Sequence, residues 1–114
     1  MNDRSALNWL SDARDYALEA QEIARNLDEK ALAESRRDQL ALQFCLVIVG
    51  EALSQVPEDI RPLAPEIAWG QVYGLRNRLV HSYFLIDIEI IRNIAQNQTE
   101  PLALAIDGLI EKIK

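Results

Sequence analysis

Apolar side chains recur at the spacing of one helix face along most of this chain, and this periodicity limits the possible fold more than any other feature. Trp9, Tyr16 and Ile23 lie seven residues apart, which at about 100° per residue places them on one side of an amphipathic helix over roughly residues 4–27. The charged run Asp28-Glu29-Lys30 then marks a break. The β-branched residues also follow helical rather than alternating spacing, so the pattern predicts an all-α protein.

A second helix is predicted over about residues 35–55, where apolar residues such as Leu40 and Phe44 occupy most of the circumference. Such a pattern is typical of the most buried helix of a domain. The prolines that follow end this helix and make residues 56–64 a loop, because proline lacks a backbone donor and disfavours helix at the residue before it. Pro65 is suited to the first turn of the next helix.

The rest of the chain adds two or three more helices. The third is predicted over about residues 66–82, and Asp87 is placed to cap the start of a fourth. Thr99 with Pro101 indicates either a restart or a kink before a last helix. We therefore expect residues 1–114 to form a single domain, an up-and-down bundle of four to five helices.

Composition excludes several classes of protein. With 114 residues of which 49% are hydrophobic, the chain can form one core and does not resemble a disordered segment. Its longest apolar run, Leu40 to Val49, contains Gln43 and reaches half of the ~20 residues that a membrane crossing needs. Cys45, the single cysteine, lies in that run and is expected to be a small core residue. No export signal precedes the first helix, so we expect a cytoplasmic protein.

The only histidine, His81, lies five residues after Arg76 in a stretch without carboxylates, from Ile67 to Ile86. Arg76 and Arg78 therefore give this stretch a positive charge in a chain whose net charge is -6. The overall acidity argues against a general nucleic-acid coat protein with a basic stripe, but it leaves room for a small cleft that binds phosphate.

One ideal helix cannot aim both Arg76 and His81 at one small group, because five residues correspond to about 140° of rotation. Either the end of the helix loosens near His81, or the site combines residues from two copies of the chain. Cleavage of RNA by its own 2′-hydroxyl favours the second arrangement, since the reaction needs one group to accept a proton and another to donate one. Histidine, with an unperturbed pKa of ~6.5, can do either, and a two-fold dimer supplies two copies.

In this dimer Arg76 would hold the phosphate and stabilise its developing negative charge. Asn77 would orient His81 or the phosphate. No metal or other cofactor is expected, because the chain has neither a second histidine or cysteine for zinc nor an acidic cluster spaced for magnesium.

Other residues near this stretch have more ordinary interpretations. Arg78 is expected to form an exposed or interface ion pair, and Trp69 and Tyr73 to be packing aromatics rather than platforms for stacked bases. A lone histidine near a helix end is often a capping residue, because a cation there meets the negative end of the helix dipole. For Glu51 two possibilities stay open: an ion pair with an arginine across the core, or exposure to water.

The segment also resembles a known family. The motifs are Gly50-Glu51-Ala52-Leu53, Pro65-Glu66-Ile67-x-Trp69 and Gly74-Leu75-Arg76-Asn77-Arg78-Leu79-Val80-His81-x-Tyr83-Phe84-x-x-Asp87. Together they resemble the signature of HepT-like proteins, the toxin half of HEPN/MNT toxin–antitoxin pairs. The similarity is dense over roughly residues 44–94, and the family is all-helical.

The resemblance implies a function as well as a fold. Arg76, Asn77 and His81 match the ribonuclease site of the HEPN superfamily, which implies an endoribonuclease toxin with RNA as its substrate. It also implies a partner, a minimal nucleotidyltransferase antitoxin that transfers AMP from ATP to Tyr83. An adenylyl group would bring a bulky purine and a negative phosphate into the cleft and so block it. The alternative is a non-catalytic helical module that binds a nucleotide or a protein and accompanies a nucleotidyltransferase, since an acidic surface suits a protein partner.

Overall fold

The computed structural model describes residues 4–82 and 86–114, and every regular element in this part of the chain is helical. The elements are α1 (Ala6–Ala24), α2 (Glu29–Ala33), α3 (Arg36–Ser54), a turn of 3-10 helix (Arg61–Leu63), α4 (Trp69–His81), α5 (Ile88–Asn97) and α6 (Thr99–Ile113). The predicted all-α bundle is confirmed. None of the described helices is long and apolar enough to cross a membrane.

The first helix, α1, is the centre of the bundle and packs against both α3 and α6. Its buried side is formed by Leu10 and by four alanines at helical spacing, and small side chains at such positions allow neighbouring helices to approach closely. Arg14 of α1 pairs with Asp107 of α6 at 3.1 Å, while Gln21 donates a hydrogen bond to Glu100 at 2.9 Å. Later residues of α1 thus meet earlier residues of α6, so the two helices are antiparallel.

The third helix, α3, begins where the sequence predicts, with the Ser35 side chain accepting a hydrogen bond from the Asp38 amide. Cys45 is buried as expected, and burial raises the pKa of its thiol. As its apolar pattern predicts, α3 has more buried residues than any other described helix, but one of its sides is exposed. Leu40 is 54% exposed and Phe44 58%, because the neighbouring helices leave one side of α3 uncovered.

Two helix starts also differ from the sequence prediction. The fourth helix, α4, begins at Trp69 rather than near residue 66, and Pro65 lies in a turn before it. The indole of Trp69 donates a hydrogen bond to the Ala64 carbonyl at 3.1 Å, which stabilises this turn instead of another turn of helix. The charged run after α1 is only partly a break, because Asp28 accepts a hydrogen bond from the Ala31 amide and caps the short helix α2.

The last two helices start as predicted. Asp87 accepts a hydrogen bond from the Glu89 amide at 2.9 Å and caps α5. Of the two possibilities for Thr99, a restart is observed: α5 ends at Asn97, and α6 begins at Thr99. Pro101 falls in the first turn of α6, where the amide has no partner within the helix in any case.

Candidate active site

Arg76 projects from α4 toward α3, and its guanidinium group is held at two points. Its Nη2 atom lies 2.8 Å from Oε1 of Glu51, and its Nη1 atom donates a 2.8 Å hydrogen bond to Oδ1 of Asn77. The side chain is 25% exposed, so the outer edge of the guanidinium still reaches solvent. Its Nε atom is buried and has no hydrogen-bond partner in the part of the chain that the structure describes. These contacts orient a cation at the surface.

Gly50 makes this position of Arg76 possible. A Cβ atom on Gly50 would lie 2.3 Å from the Arg76 Cβ, 2.9 Å from its Cγ and 3.2 Å from the Val72 carbonyl oxygen. Such distances are far inside van der Waals contact, so α3 and α4 can approach this closely only where one of them carries glycine. The neighbouring residues Gly50 and Glu51 thus both help to position the Arg76 side chain.

The role of Glu51, left open by the sequence, is an ion pair between α3 and α4. One carboxylate oxygen pairs with Arg76, and the other accepts a 3.0 Å hydrogen bond from Gln55 Nε2. The stretch from Ile67 to Ile86 has no carboxylate of its own, but folding brings one to it. The positive charge expected at Arg76 is therefore partly balanced by Glu51. The sequence does not reveal this pairing, because the two residues are far apart along the chain.

His81 is the last residue of α4 and is exposed. No hydrogen bond or ion pair of its side chain occurs among the described residues. On an α-helix His81 lies about 40° from Asn77 and about 140° from Arg76. The structure accordingly joins Arg76 to Asn77, and His81 follows Asn77 on the same side of α4, away from Arg76.

The remaining predicted residues have different positions. Tyr83, the expected modification site, lies outside the described residues. Arg78 is exposed and lines a groove of about 1030 Å³ between α4 and the helices α5 and α6. Trp69 packs as predicted, but Tyr73 is 49% exposed, so the expectation of a packed ring is wrong for Tyr73.

A smaller cavity adjoins the Arg76 ion pair. Its volume is about 350 Å³, and it lies between the end of α3 and the start of α4. The lining residues are Gly50, Leu53, Ser54, Gln55, Arg61, Trp69 and Tyr73. Gln55 and Arg61 were not singled out in the sequence, because their place at this cavity depends on how the helices cross. Within residues 4–82 and 86–114, no three His, Cys, Asp or Glu side chains are grouped so that they could hold a metal ion.

Comparison with known proteins identifies the family of this chain. The family model described as ribonuclease HepT-like matches residues 13–109. A Thermococcus cleftensis protein named as a probable ribonuclease HepT is 30% identical over 111 residues, which cover 97% of each chain. A Methanocaldococcus jannaschii protein named as an RNase is 25% identical over 114 residues, which cover all of this chain and 94% of its own.

No solved structure matches significantly. The family model covers most of α1 and extends through α4 to α6, so it includes the Glu51–Arg76 pair and His81. This chain belongs to the HepT-like family of ribonucleases.

Proposed function

We propose that this chain is a metal-independent endoribonuclease whose site combines Arg76, Asn77 and His81 from two copies of the chain. The observation that carries the proposal is the orientation of Arg76 by Glu51 and Asn77, with an exposed histidine at the end of the same helix. A guanidinium held in one position can bind a phosphate without first being ordered. An exposed imidazole can accept or donate a proton.

In the proposed reaction the 2′-oxygen of the RNA forms a bond to the adjacent phosphorus, and the bond from phosphorus to the 5′-oxygen breaks. One neutral imidazole accepts the proton of the 2′-hydroxyl, while a second, protonated imidazole donates a proton to the leaving 5′-oxygen. Arg76 stabilises the additional negative charge on the phosphate oxygens. The products are a 2′,3′-cyclic phosphate and a 5′-hydroxyl, and no water is consumed.

Two imidazoles require two chains, and apolar side chains exposed on α3 and α4 support a homodimer. On α4, Asn77 and Val80 lie about 60° apart on the outer side. On α3, Phe44 and Glu51 are seven residues apart and hence about 20° from each other. Phe44 and Val80 are 58% and 41% exposed. Large apolar side chains grouped on a surface mark protein interfaces.

The proposal includes the toxin–antitoxin pairing that the sequence resemblance implies, with the cytoplasm as the site of action. Tyr83 follows His81 by two residues in the sequence. We therefore expect a group attached to its oxygen to lie beside the proposed cleft. In the modification its phenolic oxygen attacks the α-phosphorus of ATP, and pyrophosphate leaves. The adenylyl group then adds bulk and a negative charge next to Arg76 and His81.

The nuclease proposal is tested by incubating the purified protein with RNA in the presence of EDTA. We expect cleavage with 2′,3′-cyclic phosphate ends, and His81→Ala should reduce the rate by ~100- to 10,000-fold. Arg78→Ala is a matched control on the same helix and should cleave normally. Unchanged cleavage by a folded His81→Ala protein would refute the proton-transfer role, and activity lost with the chelator would implicate a metal.

The regulatory proposal is tested with the cognate nucleotidyltransferase, ATP and magnesium. Each AMP should add about 329 Da, on Tyr83, and the product should no longer cleave RNA. Tyr83→Phe should remain active and escape modification. Modification of Tyr16 or Tyr73 instead would contradict the assignment. Expression without the antitoxin should arrest growth, whereas a non-catalytic binding module would not.

A further inference from the structure

Arg61 places an uncompensated positive charge at the wall of the small cavity beside Arg76. Its Nε donates a 3.0 Å hydrogen bond to the Val56 carbonyl, and its Nη2 donates one of the same length to the Ser54 carbonyl. Its Cζ atom lies 5.7 Å from the centre of the Trp69 ring. Among the described residues no carboxylate pairs with Arg61, although Arg76 nearby has Glu51. The guanidinium is thus held by neutral groups and keeps its attraction for an anion.

Tyr73 contributes an aromatic ring that the fold leaves uncovered. It lies one turn after Trp69 on α4, so both rings face the cavity, and its side chain is 49% exposed. The Gln55 side chain donates to Glu51 through Nε2, while its Oε1 accepts no hydrogen bond from the described residues. The cavity of about 350 Å³ therefore has a carbonyl oxygen, an open aromatic ring and a cation. These groups can bind the base and the phosphate of one nucleotide.

We propose that this cavity is a subsite for one nucleotide of the RNA strand next to the cleaved bond, with the base stacked on Tyr73 and a phosphate near Arg61. The inference rests on the proposed nuclease function. Tyr73 precedes Arg76 by three residues, about 4.5 Å of helix rise, and His81 follows it by five, about 7.5 Å. The base subsite at Tyr73, the cleaved phosphate at Arg76 and the proton-transfer group at His81 therefore follow one another along α4.

The charge of the protein favours a subsite that binds RNA through its base rather than through its backbone charge. With a net charge of -6 the chain repels the RNA backbone at long range, and few cations lie near the site. Stacking on an aromatic ring does not depend on net charge, and it strengthens binding by roughly 5- to 150-fold per base. Tyr73 is thus expected to supply much of the affinity for substrate.

The test compares the four ribonucleoside 5′-monophosphates with ribose 5-phosphate, which lacks the base, in NMR titrations of the full-length protein. Trp69 supplies a local signal, because its indole N–H can be told from that of Trp9 with a Trp9→Phe variant. We expect at least one nucleotide to shift the Trp69 signal and to bind at least fivefold more tightly than ribose 5-phosphate. Tyr73→Ala should abolish that difference, and Tyr73→Phe, which keeps the ring, should retain it.

Failure of the subsite and failure of the nuclease proposal give different results. If the protein cleaves RNA but binds nucleotides no better than ribose 5-phosphate, the subsite is refuted and the nuclease is not. The same holds if the preference persists in Tyr73→Ala. If binding that depends on the base is lost with Tyr73 in a protein that cleaves no RNA, the nucleotide site stands and the nuclease proposal is refuted.

Discussion

Two neighbouring residues of α3, Gly50 and Glu51, hold Arg76 in different ways. Gly50 contributes by having no side chain, since even one added carbon would overlap the Arg76 Cβ. Glu51 contributes a charge, which fixes the direction of the guanidinium group. One residue sets the distance between α3 and α4 and the other sets the orientation of the cation, so their effects can be separated by mutation.

Gly50→Ala should destabilise the protein and reduce its nuclease activity. The new methyl group would meet the Cβ of Arg76, which is tied to the backbone of α4, so the helix itself must move. Overpacking of this kind costs about 1–3 kcal/mol, or about 5 °C in Tm per kcal/mol for a domain of this size. Thermal unfolding and RNA cleavage measure the two effects.

Gly108→Ala is the matched control for this substitution. Gly108 also lies inside a helix, but a Cβ there would meet nothing within 4 Å. Replacing such a glycine with alanine is expected to stabilise the helix by about 0.5–1 kcal/mol. If both variants gain stability, the close approach of α3 and α4 at Arg76 does not exist in solution.

Glu51→Gln should leave the fold intact and lower kcat. The two side chains of the ion pair are 25% and 37% exposed, so the pair contributes at most about 1 kcal/mol to stability. Loss of the orienting charge allows Arg76 to move, and small misplacements of this kind reduce rates by roughly 10- to 100-fold. Glu111→Gln, which removes a similar partner from Lys114 at the exposed end of α6, is the control. An unchanged kcat in Glu51→Gln would show that Arg76 needs no orientation.

At the level of helices, the sequence predicts those helix starts that depend on contacts between residues close together in the chain. Side-chain caps such as Ser35 and Asp87 act within three residues, and the two helices that these residues cap start where the pattern predicts. The start of α4 could not be predicted, because it depends on the contact between the Trp69 indole and the Ala64 carbonyl. The exposed side of α3 could not be predicted either, since an apolar side chain such as Phe44 suits an interface as well as a core.

The candidate site was predictable to a similar extent. Arg76, Asn77 and His81 stand out because they are close in sequence and chemically distinctive. The ion pair with Glu51 joins residues 25 positions apart, and the cavity beside it depends on the crossing of α3 and α4. Spacing along one helix carries no information about such contacts. The sequence also could not show that Tyr73, which is expected to be a packing residue, has an exposed ring.

For the molecule as a whole, the central prediction is a dimer formed through the outer side of α3 and α4. Light scattering should give a mass close to twice 12.9 kDa. Phe44→Glu should halve that mass, because it places a charge in the apolar interface, and it should also abolish cleavage. Leu104→Glu changes a residue of α6 that is 65% exposed and should leave the mass unchanged. A Phe44→Glu monomer that still cleaves RNA would show that one chain suffices.

The helix that carries the proposed site is less buried than the helix at the centre of the bundle. Only Leu79 is buried along α4, which packs mainly on α3 and faces the large groove on its other side, whereas α1 buries five residues. Free energies of local opening follow such differences in burial. Amide protons of α4 should therefore exchange with solvent before those of α1, and a ligand or second protomer that holds α4 in place would slow its exchange most.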